Sequence, residues 1–174
     1  MQKHTKMMNL YIGKDRIKKR IKEISNQLYK MYKGKNPVFI GVLNGSFIFL
    51  SDLVRECDFD CQVDFIQVKS YSGKKSSGKV NLIKDINLDL NGRSVILVED
   101  IIDSGLSIEF IREHILSYNP KDFIIVSLLS KKMNYNLKFN IDIIGFEIDS
   151  KFIIGYGLDL DQRYRNLNEL FIIE

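Results

Sequence analysis

The stretch VILVEDIIDSGLSIEF at residues 95–110 decides how the rest of this 174-residue chain is interpreted. A short apolar run at 95–98 is followed at once by two adjacent carboxylates, Glu99 and Asp100. Residues 103–107 (Asp-Ser-Gly-Leu-Ser) then lead into an apolar pattern with helical spacing. The order predicts a buried strand, an acidic turn, and a hydroxyl-and-glycine loop that opens a helix.

The residue types in this loop suit a phosphorylated sugar. Carboxylates at the carboxyl end of a strand can accept hydrogen bonds from sugar hydroxyls. The hydroxyls of Ser104 and Ser107, together with the backbone N–H groups around Gly105, can donate to a phosphate monoester. One short loop would therefore hold a ribose and its phosphate.

A simpler alternative is a solvated turn in which Asp103 or Ser104 only caps the following helix. The apolar neighbours Ile101 and Ile102 favour a partly buried turn instead. Acids clustered in such a place repel one another unless something, such as a polyol with a bound metal, lies between them. Both interpretations remain open on these residues alone.

Composition restricts the class of protein. A chain of this length forms one domain with one core. No apolar stretch approaches the roughly 20 residues that span a bilayer, and the first residues contain no hydrophobic signal region. We therefore expect a cytoplasmic protein without a membrane partner. Its two cysteines, Cys57 and Cys61, lack the companions of a zinc site and are expected to be reduced, partly buried thiols.

The net charge of +4 and the basic clusters at 14–22 and 30–35 leave a nucleic-acid surface open. The alternative is a solvated helix face, and hydrophobic periodicity favours it. An apolar stripe runs along one side of this predicted helix: Ile17, Ile21, Ile24, Leu28 and Met31. We therefore predict no nucleic-acid partner.

Strand and helix patterns alternate along the chain, which predicts a mostly parallel α/β sheet with ligands at the carboxyl ends of its strands. Helices are predicted at 46–55 and 107–117, and the polar segment 70–79 forms the tip of a long hairpin. Strands are predicted at 38–43, 61–69, 80–86, 95–98, 123–129, 141–147 and 152–155, before a last apolar stretch at 170–173.

The loop at 99–107 resembles the phosphoribosyl pyrophosphate loop of type I phosphoribosyltransferases, in the variant of the hypoxanthine-guanine phosphoribosyltransferases. Ser104 and Ser107 stand where the family usually has Thr, and both keep the hydroxyl. The resemblance continues along nearly the whole chain in matching order and spacing. It covers a pyrophosphate loop with its helix (39–55), the start of a mobile lid (68–71), a purine-contacting lysine segment (128–131) and a purine-binding hood (145–167).

The resemblance implies the type I phosphoribosyltransferase fold, a mostly parallel central sheet flanked by helices, in a single domain spanning 1–174. The core would cover about 36–147, and the hood would combine about 1–12 with 148–174. A mobile lid at about 70–79, beginning at Ser70 and Tyr71, would close over the site.

The resemblance also implies roles for the acidic loop. Glu99 and Asp100 would hold the ribose hydroxyls, directly or through Mg²⁺, and Asp103 would accept the N7 proton of the purine as N9 attacks. Burial and the nearby phosphate would raise the proton affinity of Asp103 for that task. The implied ribose and phosphoribosyl pyrophosphate contacts are Glu99, Asp100, Asp103, Ser104, Gly105, Leu106 and Ser107.

Two further groups are implied. Pyrophosphate would bind to Leu43, Asn44 and Gly45, across a cis peptide without proline, and to Arg165. Asn44 stands where a basic residue is common, so it brings a donor without a charge. For the purine, Lys131 would donate to the 6-oxygen, Phe152 would stack on the ring, the Ile153 carbonyl would accept from N1, and Asp159 would reach the 2-substituent. The implied metal ligands are Glu99, Asp100 and Asp159.

The implied activity is purine salvage. With Mg²⁺, the 5-phosphoribosyl group of phosphoribosyl pyrophosphate would pass to N9 of hypoxanthine or guanine, giving IMP or GMP and pyrophosphate. Family members suggest a homodimer or homotetramer. Two alternatives stay open: a xanthine-preferring 6-oxopurine transferase, and a nucleotide-sensing regulator that keeps the fold. A Rossmann-type module is disfavoured because no Gly-x-Gly-x-x-Gly follows a strand.

Overall fold

The central sheet has six strands in the order β4-β3-β2-β5-β6-β7 in the computed structural model, which describes residues 7–70, 80–131 and 134–173. Neighbours from β3 through β7 pair in parallel, whereas β4 is antiparallel to β3 at the edge. The strands are β2 (Val38–Leu43), β3 (Gln62–Ser70), β4 (Val80–Lys84), β5 (Ser94–Ile102), β6 (Asp122–Ser130) and β7 (Ile143–Glu147).

A second, smaller sheet joins the two ends of the chain. It has the order β1-β9-β8 and is antiparallel throughout. Its strands are β1 (Met8–Ile12), β8 (Ile153–Ile154) and β9 (Leu170–Ile173). Because β1 pairs with β9, the first described residues help to hold the carboxyl-terminal segment, which carries predicted purine contacts.

Helices cover both faces of the central sheet. The apolar stripe of α1 (Lys14–Tyr32) packs with α2 (Phe47–Glu56) in one core cluster, and α3 (Leu106–Ser117) belongs to a second cluster. The buried strands explain this, since a parallel sheet must be covered on both faces. The predicted stripe of α1 is correct except at its end. There Met31 is 40% exposed and Tyr32 is buried instead, because residue 32, four positions after Leu28, returns to the apolar side of the helix.

The predicted acidic turn is wrong in one respect. Strand β5 does not stop at residue 98 but continues to Ile102, so Glu99 and Asp100 lie within it. Parallel pairing with β6 continues through Glu99–Ser127 to Ile102–Ser130, and this ladder keeps the acidic residues extended. Their carboxylates are therefore held by sheet backbone rather than by a loop.

The prediction of a mostly parallel α/β sheet flanked by helices is confirmed. Several predicted ends were too long: β4 ends at Lys84, β7 begins at Ile143, and β8 comprises only Ile153–Ile154. Some residues just outside these ends keep a single backbone hydrogen bond, from the Asp142 N–H to Ile125 and from the Ile173 N–H to Phe152, but they do not extend the regular pairing. Among the described residues, no helix has the length and apolar character needed to cross a membrane.

Candidate active site

A cleft of about 200 Å³ opens where the carboxyl ends of β5 and β6 meet the small sheet. Its lining includes six of the predicted site residues: Asp100, Asp103, Lys131, Phe152, Ile153 and Asp159. Ile101 and Leu158 complete it. Two larger surface depressions of about 570 and 590 Å³ contain none of the predicted residues. The volume suits a small planar ring better than a drug-sized ligand, which typically needs ~300–1,000 Å³.

An ion pair between Asp103 and Lys131 lies at this cleft. The Lys131 ammonium donates to Oδ2 of Asp103 at 2.9 Å, and the Lys131 side chain is 11% exposed against 53% for Asp103. The backbone N–H of Lys131 also donates to the carbonyl of Ile102 at 2.9 Å, which ties the lysine segment to the end of β5. A nearly buried cation thus faces an accessible carboxylate.

The second carboxylate oxygen of Asp103 accepts a hydrogen bond from the Asn134 amide at 2.6 Å. Burial acts to raise the pKa of Asp103, but the hydrogen bonds from Lys131 and Asn134 and the charge of Lys131 outweigh it, and the pKa lies below its usual range. The rise in proton affinity that the resemblance implies concerns a site filled with phosphate, so it stays a prediction; in the ligand-free site the shift runs in the opposite direction. In the ligand-free site, the ion pair with Lys131 favours the charged form of Asp103.

The alternative role of this loop, helix capping, is also wrong. The residue preceding α3 is Gly105, and no side chain caps the helix, so neither Asp103 nor Ser104 serves that purpose. Gly105 adopts φ +83°, and a Cβ there would lie 2.8 Å from Leu137. The left-handed backbone conformation at this position favours glycine.

Ser104, Leu106 and Ser107 follow the same bend. Ser104 and Leu106 are exposed and Ser107 is half-buried at the first turn of α3. The first N–H groups of a helix have no partner within the helix and attract anions. The loop therefore offers hydroxyl and backbone donors on the surface, as a phosphate monoester requires.

The two carboxylates of β5 are desolvated. Burial, followed by the neighbouring Asp100 charge, raises the pKa of Glu99 well above its usual range. Burial also raises the pKa of Asp100 to about 6, with hydrogen bonds from the backbone N–H groups of Asp100 and Ile101 opposing it. The Glu99 Oε2 atom is buried and has no hydrogen-bond partner among the described residues. A buried acid without a partner is costly unless a ligand or ion supplies one.

The predicted pyrophosphate loop packs directly on Asp100. The Leu43–Asn44 peptide is cis, as the resemblance implies, and Asn44 is exposed. A Cβ on Gly45 would lie 1.7 Å from Asp100 Oδ2. A Cβ on Gly157 would lie 2.0 Å from the Gly45 carbonyl oxygen. Two glycines thus let the loop, the acidic strand and the carboxyl-terminal segment meet without intervening side chains.

Ser46 follows this loop at the start of α2 and is fully buried. Its hydroxyl has no hydrogen-bond partner, and among the buried side-chain polar atoms of the described residues only Glu99 Oε2 shares that property. Asn44 accepts a long hydrogen bond of 3.4 Å from the Gln67 amide. The loop therefore presents backbone and amide groups but no cation of its own.

Arg165 supplies positive charge near this loop but is already engaged. Its guanidinium donates to the Gly157 carbonyl at 2.8 Å and to the Gln162 amide oxygen at 3.0 Å, and it pairs with Asp159 at 2.8 Å. Its charge opposes the upward shift of the Asp100 pKa. The structure thus places Arg165 beside the acidic strand, with its other N–H groups left for a further acceptor.

Ile153 begins β8, and Phe152 directly precedes it. The Phe152 side chain is 52% exposed although it is large and apolar, and its carbonyl accepts from the Ile173 N–H at 3.2 Å. Ile153 is buried and pairs with Ile172 of β9. An exposed aromatic side chain at a cleft mouth is available for stacking against a planar ligand. Ser70 ends β3, and Tyr71 with the rest of the predicted lid lies outside the described residues.

The acidic residues of the site fit Mg²⁺ only if substrate oxygens complete its coordination. Within the described ranges, no three acidic, imidazole or thiol side chains form a group that could hold a metal ion. Glu99, Asp100 and Asp159 therefore do not form a closed protein cage, and Asp159 is already paired with Arg165. Mg²⁺ is usually bound by one or two carboxylates plus water and substrate phosphates. The partnerless Glu99 oxygen and the half-buried Asp100 carboxylate at the cleft fit that mode.

Two residues of the site were missed by sequence reasoning. Asn134 bonds Asp103, and Ser150 donates its hydroxyl to the Asn134 amide oxygen. Neither stands in a recognisable motif, because their relation depends on how the segment after β6 folds back toward the carboxyl-terminal segment. Only the spacing of Asn134, three residues after Lys131, gave a weak signal.

Comparison with known proteins defines the class. The phosphoribosyl transferase domain matches residues 12–161, so the chain belongs to that family. It is 41% identical to a hypoxanthine-guanine phosphoribosyltransferase of Aquifex aeolicus, over 97% of this chain and 96% of that one. It is 40% identical to the hypoxanthine phosphoribosyltransferase of Escherichia coli, over 95% and 93%.

A solved structure gives the same result for the fold. The crystal structure of a hypoxanthine-guanine phosphoribosyltransferase from Bacillus anthracis aligns with a TM-score of 0.91 and 36% identity. The alignment covers 95% of this chain and 98% of that one. The resemblance drawn from the motifs is thereby confirmed, together with the transferase class.

Proposed function

We propose that this protein salvages 6-oxopurines by transferring the 5-phosphoribosyl group of phosphoribosyl pyrophosphate to N9 of hypoxanthine and guanine. The products are IMP or GMP and pyrophosphate. The observation that carries the proposal is the Asp103–Lys131 pair, 2.9 Å apart, in a cleft that also contains the exposed ring of Phe152. Full-length relatives with these activities support the same conclusion.

The pair is complementary to one edge of a 6-oxopurine. In the tautomer that carries its imidazole proton on N7, hypoxanthine presents an acceptor, O6, beside a donor, N7–H. Lys131 donates to O6 and Asp103 accepts from N7–H. The purine thus takes the place of Asp103 as the acceptor for Lys131, and the place of Lys131 as the donor to Asp103. Adenine presents an amino donor to the Lys131 donor, and leaving both unpaired in a desolvated site is strongly unfavourable. The site therefore selects the 6-oxo group.

Asp103 then removes a proton. N9 attacks C1′ as the bond from C1′ to the pyrophosphate oxygen breaks, and the purine gains positive charge. The N7 proton passes to Asp103, which gives the neutral product base, and Asp103 later releases that proton to water. When Lys131 moves to O6, Asp103 loses the interaction that most strongly opposes its protonation. The carboxylate becomes a better base once the purine is in place.

The acidic strand and its neighbours hold the other substrate. Glu99 and Asp100 bind ribose hydroxyls, and the donors of residues 104–107 surround the 5′-phosphate. Asn44, Gly45 and Arg165 face the pyrophosphate. Glu99 and Asp100 are the residues that would hold Mg²⁺ with substrate oxygens, and the ion would supply charge neutralisation for the leaving pyrophosphate. Fixed donors and acceptors of this kind stabilise an oxocarbenium-like transition state by position and charge.

Several assignments accompany this proposal. The chain acts as one domain, with the core at about 36–147 and the hood formed by about 1–12 and 148–174; the pairing of β1 with β9 supports that division. A homodimer or homotetramer and a cytoplasmic location remain expectations from the family. The lid role of Ser70 and Tyr71 stays a prediction.

The first experiment mixes the protein with Mg²⁺, phosphoribosyl pyrophosphate and each of four bases: hypoxanthine, guanine, xanthine and adenine. We expect rapid nucleotide formation with hypoxanthine and guanine and little with adenine. Ultraviolet absorbance measures the reaction. Fastest turnover with xanthine would favour the xanthine-preferring alternative. Absence of turnover with every base would contradict an enzyme and favour the nucleotide-sensing regulator.

The second experiment replaces Asp103, the proposed general base. Asp103→Asn should lower kcat by roughly 10²–10⁴-fold, the range of general-base contributions, while the Kd for phosphoribosyl pyrophosphate changes little. The matched control is Asp58→Asn, an exposed aspartate in the loop after α2. If Asp103→Asn retained the parent rate, Asp103 would not be the base.

A further inference from the structure

We propose that Asn134 is a positioning residue for Asp103, oriented by Ser150, and that it holds one carboxylate oxygen in place while the other exchanges Lys131 for the purine. This inference rests on the proposed function. It adds two residues to the reaction, one from the segment after β6 and one from the segment before β8.

The geometry divides the two oxygens of Asp103 between two donors. Oδ1 accepts from the Asn134 amide at 2.6 Å, and Oδ2 accepts from Lys131 at 2.9 Å. When a purine draws Lys131 to its O6, Oδ2 becomes free to accept the N7 proton. Without a second donor, the 53% exposed Asp103 side chain could then rotate toward water. The Asn134 bond removes that freedom at the moment when the carboxylate must be aligned.

Ser150 determines which end of the amide faces Asp103. Its hydroxyl donates to Oδ1 of Asn134, so the NH₂ group points the other way, toward the carboxylate. The backbone N–H of Asn134 is fixed in turn by the Lys131 carbonyl at 2.8 Å. Asn134 is therefore held at its backbone and at its amide oxygen. Its NH₂ group cannot rotate freely and stays pointed at Asp103. A pre-oriented donor is the property that a positioning residue requires.

Charge at this site comes from few groups. Lys131 is the cation that contacts Asp103, and the acids Asp100 and Asp159 line the same cleft. Asn134 is neutral, so it can remain beside Asp103 in both protonation states. It favours the ionised form through its N–H, and its loss raises the proton affinity of Asp103 after Lys131 has moved.

The test compares two substitutions of different shape and polarity. Asn134→Asp keeps the shape but replaces the donor with an acceptor, whereas Asn134→Ala removes the side chain. A positioning donor predicts that Asp is the more damaging of the two. A space-filling role predicts the reverse. We expect about a tenfold fall in kcat/KM for hypoxanthine with Ala, the scale of one hydrogen bond to a charged group, and a larger fall with Asp.

Two readouts and a second pair of variants separate positioning from a general structural role. The acidic limb of the pH profile should move upward by roughly half a unit to one unit in Asn134→Ala. The KM for phosphoribosyl pyrophosphate should stay within about twofold, because Asp103 is the one predicted contact of this substrate that Asn134 is seen to bond. Ser150→Ala should give the same pattern at smaller size, and Ser150→Thr, which keeps the hydroxyl, should restore the parent values.

The outcomes are distinct from those of the proposed function. If the parent protein turns over hypoxanthine but Asn134→Ala and Asn134→Asp leave both kcat/KM and the acidic limb unchanged, the inference is overturned and the function stands. If the parent turns over no base, the function fails. The ¹³C carboxyl titration of Asp103 in the free protein then decides: an upward shift of its pKa in Asn134→Ala supports the inference, and no shift refutes it.

Discussion

Carboxylates in β3 and in β5 are shielded from water, but the structure surrounds them in opposite ways. Asp64 in β3 is 8% exposed and accepts hydrogen bonds from the Lys84 ammonium and from three backbone N–H groups, at 2.6–3.1 Å. Burial acts to raise the pKa of Asp64, but these bonds outweigh it and lower the pKa. In β5, burial raises the pKa of Glu99 and of Asp100, and Glu99 keeps an oxygen without a partner.

The difference separates structure from function. A satisfied carboxylate ties elements together: Asp64 joins β3 to β4 and to the segment before β5 through residues 84, 87 and 88. A buried carboxylate without enough partners destabilises the free protein, and such groups are concentrated at functional sites. We therefore propose that Glu99 and Asp100 serve ligands, although they lie in the same sheet as Asp64.

The largest expected effect is the loss of the structural carboxylate. Asp64→Ala should lower the free energy of unfolding by about 3 kcal/mol, because it leaves Lys84 and buried N–H groups unpaired. Denaturant unfolding measures this loss. Asp60→Ala, an exposed aspartate in the preceding loop, should change stability by less than about 0.5 kcal/mol. Equal losses of stability in the two variants would show that the hydrogen bonds of Asp64 do not stabilise the fold.

The site carboxylates should behave in the opposite way. Glu99→Gln and Asp100→Asn should each lower kcat/KM by about 100-fold, or about 2.7 kcal/mol of transition-state stabilisation. Their free energies of unfolding at pH 8 should not fall by more than about 1 kcal/mol, because each amide removes a desolvated charge. Steady-state kinetics and unfolding of the same samples measure both. Variants that unfold as readily as Asp64→Ala but remain active would show that Glu99 and Asp100 serve stability and not catalysis.

A smaller effect should follow from pushing the pyrophosphate loop away from Asp100. Gly45→Ala places a methyl group where the Asp100 carboxylate now lies, and this carboxylate is confined, so the loop must shift. We expect about a tenfold loss in kcat/KM with a raised KM for phosphoribosyl pyrophosphate. Gly13→Ala is the control, since its Cβ would meet only Glu169 at 3.5 Å. A normal KM in Gly45→Ala would show that the close approach is not needed.

The smallest effect is a pH dependence of stability. Because the folded state raises the pKa of Asp100 to about 6, its protonated form favours folding, and this contribution is lost as pH rises from about 4 through 6. Asp64, whose pKa is lowered, has the opposite dependence and loses its contribution as pH falls. Asp100→Asn should therefore raise Tm relative to the parent at pH 8, by roughly 2–4 °C per kcal/mol, and not at pH 4. Thermal unfolding at both values tests this, and a constant difference would contradict it.

Local patterns predicted much of the fold. Apolar runs at residues 38–43 and 95–98 gave two central strands, and the Ile17–Leu28 stripe gave the buried face of α1. The end of β5 was missed because Glu99 and Asp100 have weak strand propensity, and the ladder with β6 overrides it. Tyr32 replaced Met31 because residue 32, four positions after Leu28, returns to the apolar side of α1.

The candidate site was predicted in its residue types more than in its connections. Asp103, Lys131 and Phe152 were named from motifs, and the structure brings them to one cleft. The state of Asp103 was not predictable, since its low pKa comes from Lys131 and Asn134, which are 28 and 31 residues away. Distances of this kind depend on the packing of several elements at once.

By itself, the sequence determined the class of protein, the alternation of strand and helix, and the positions of the acids, hydroxyls and glycines. Such features depend on residue type and local spacing, and each is present before the chain folds. Only the tertiary structure decided that Glu99 lacks a partner while Asp64 has several, that Gly45 touches Asp100, and that Ser150 orients Asn134 toward Asp103. Burial and hydrogen bonding between distant segments set these properties, because a carboxylate acquires its pKa from its surroundings rather than from its neighbours in sequence.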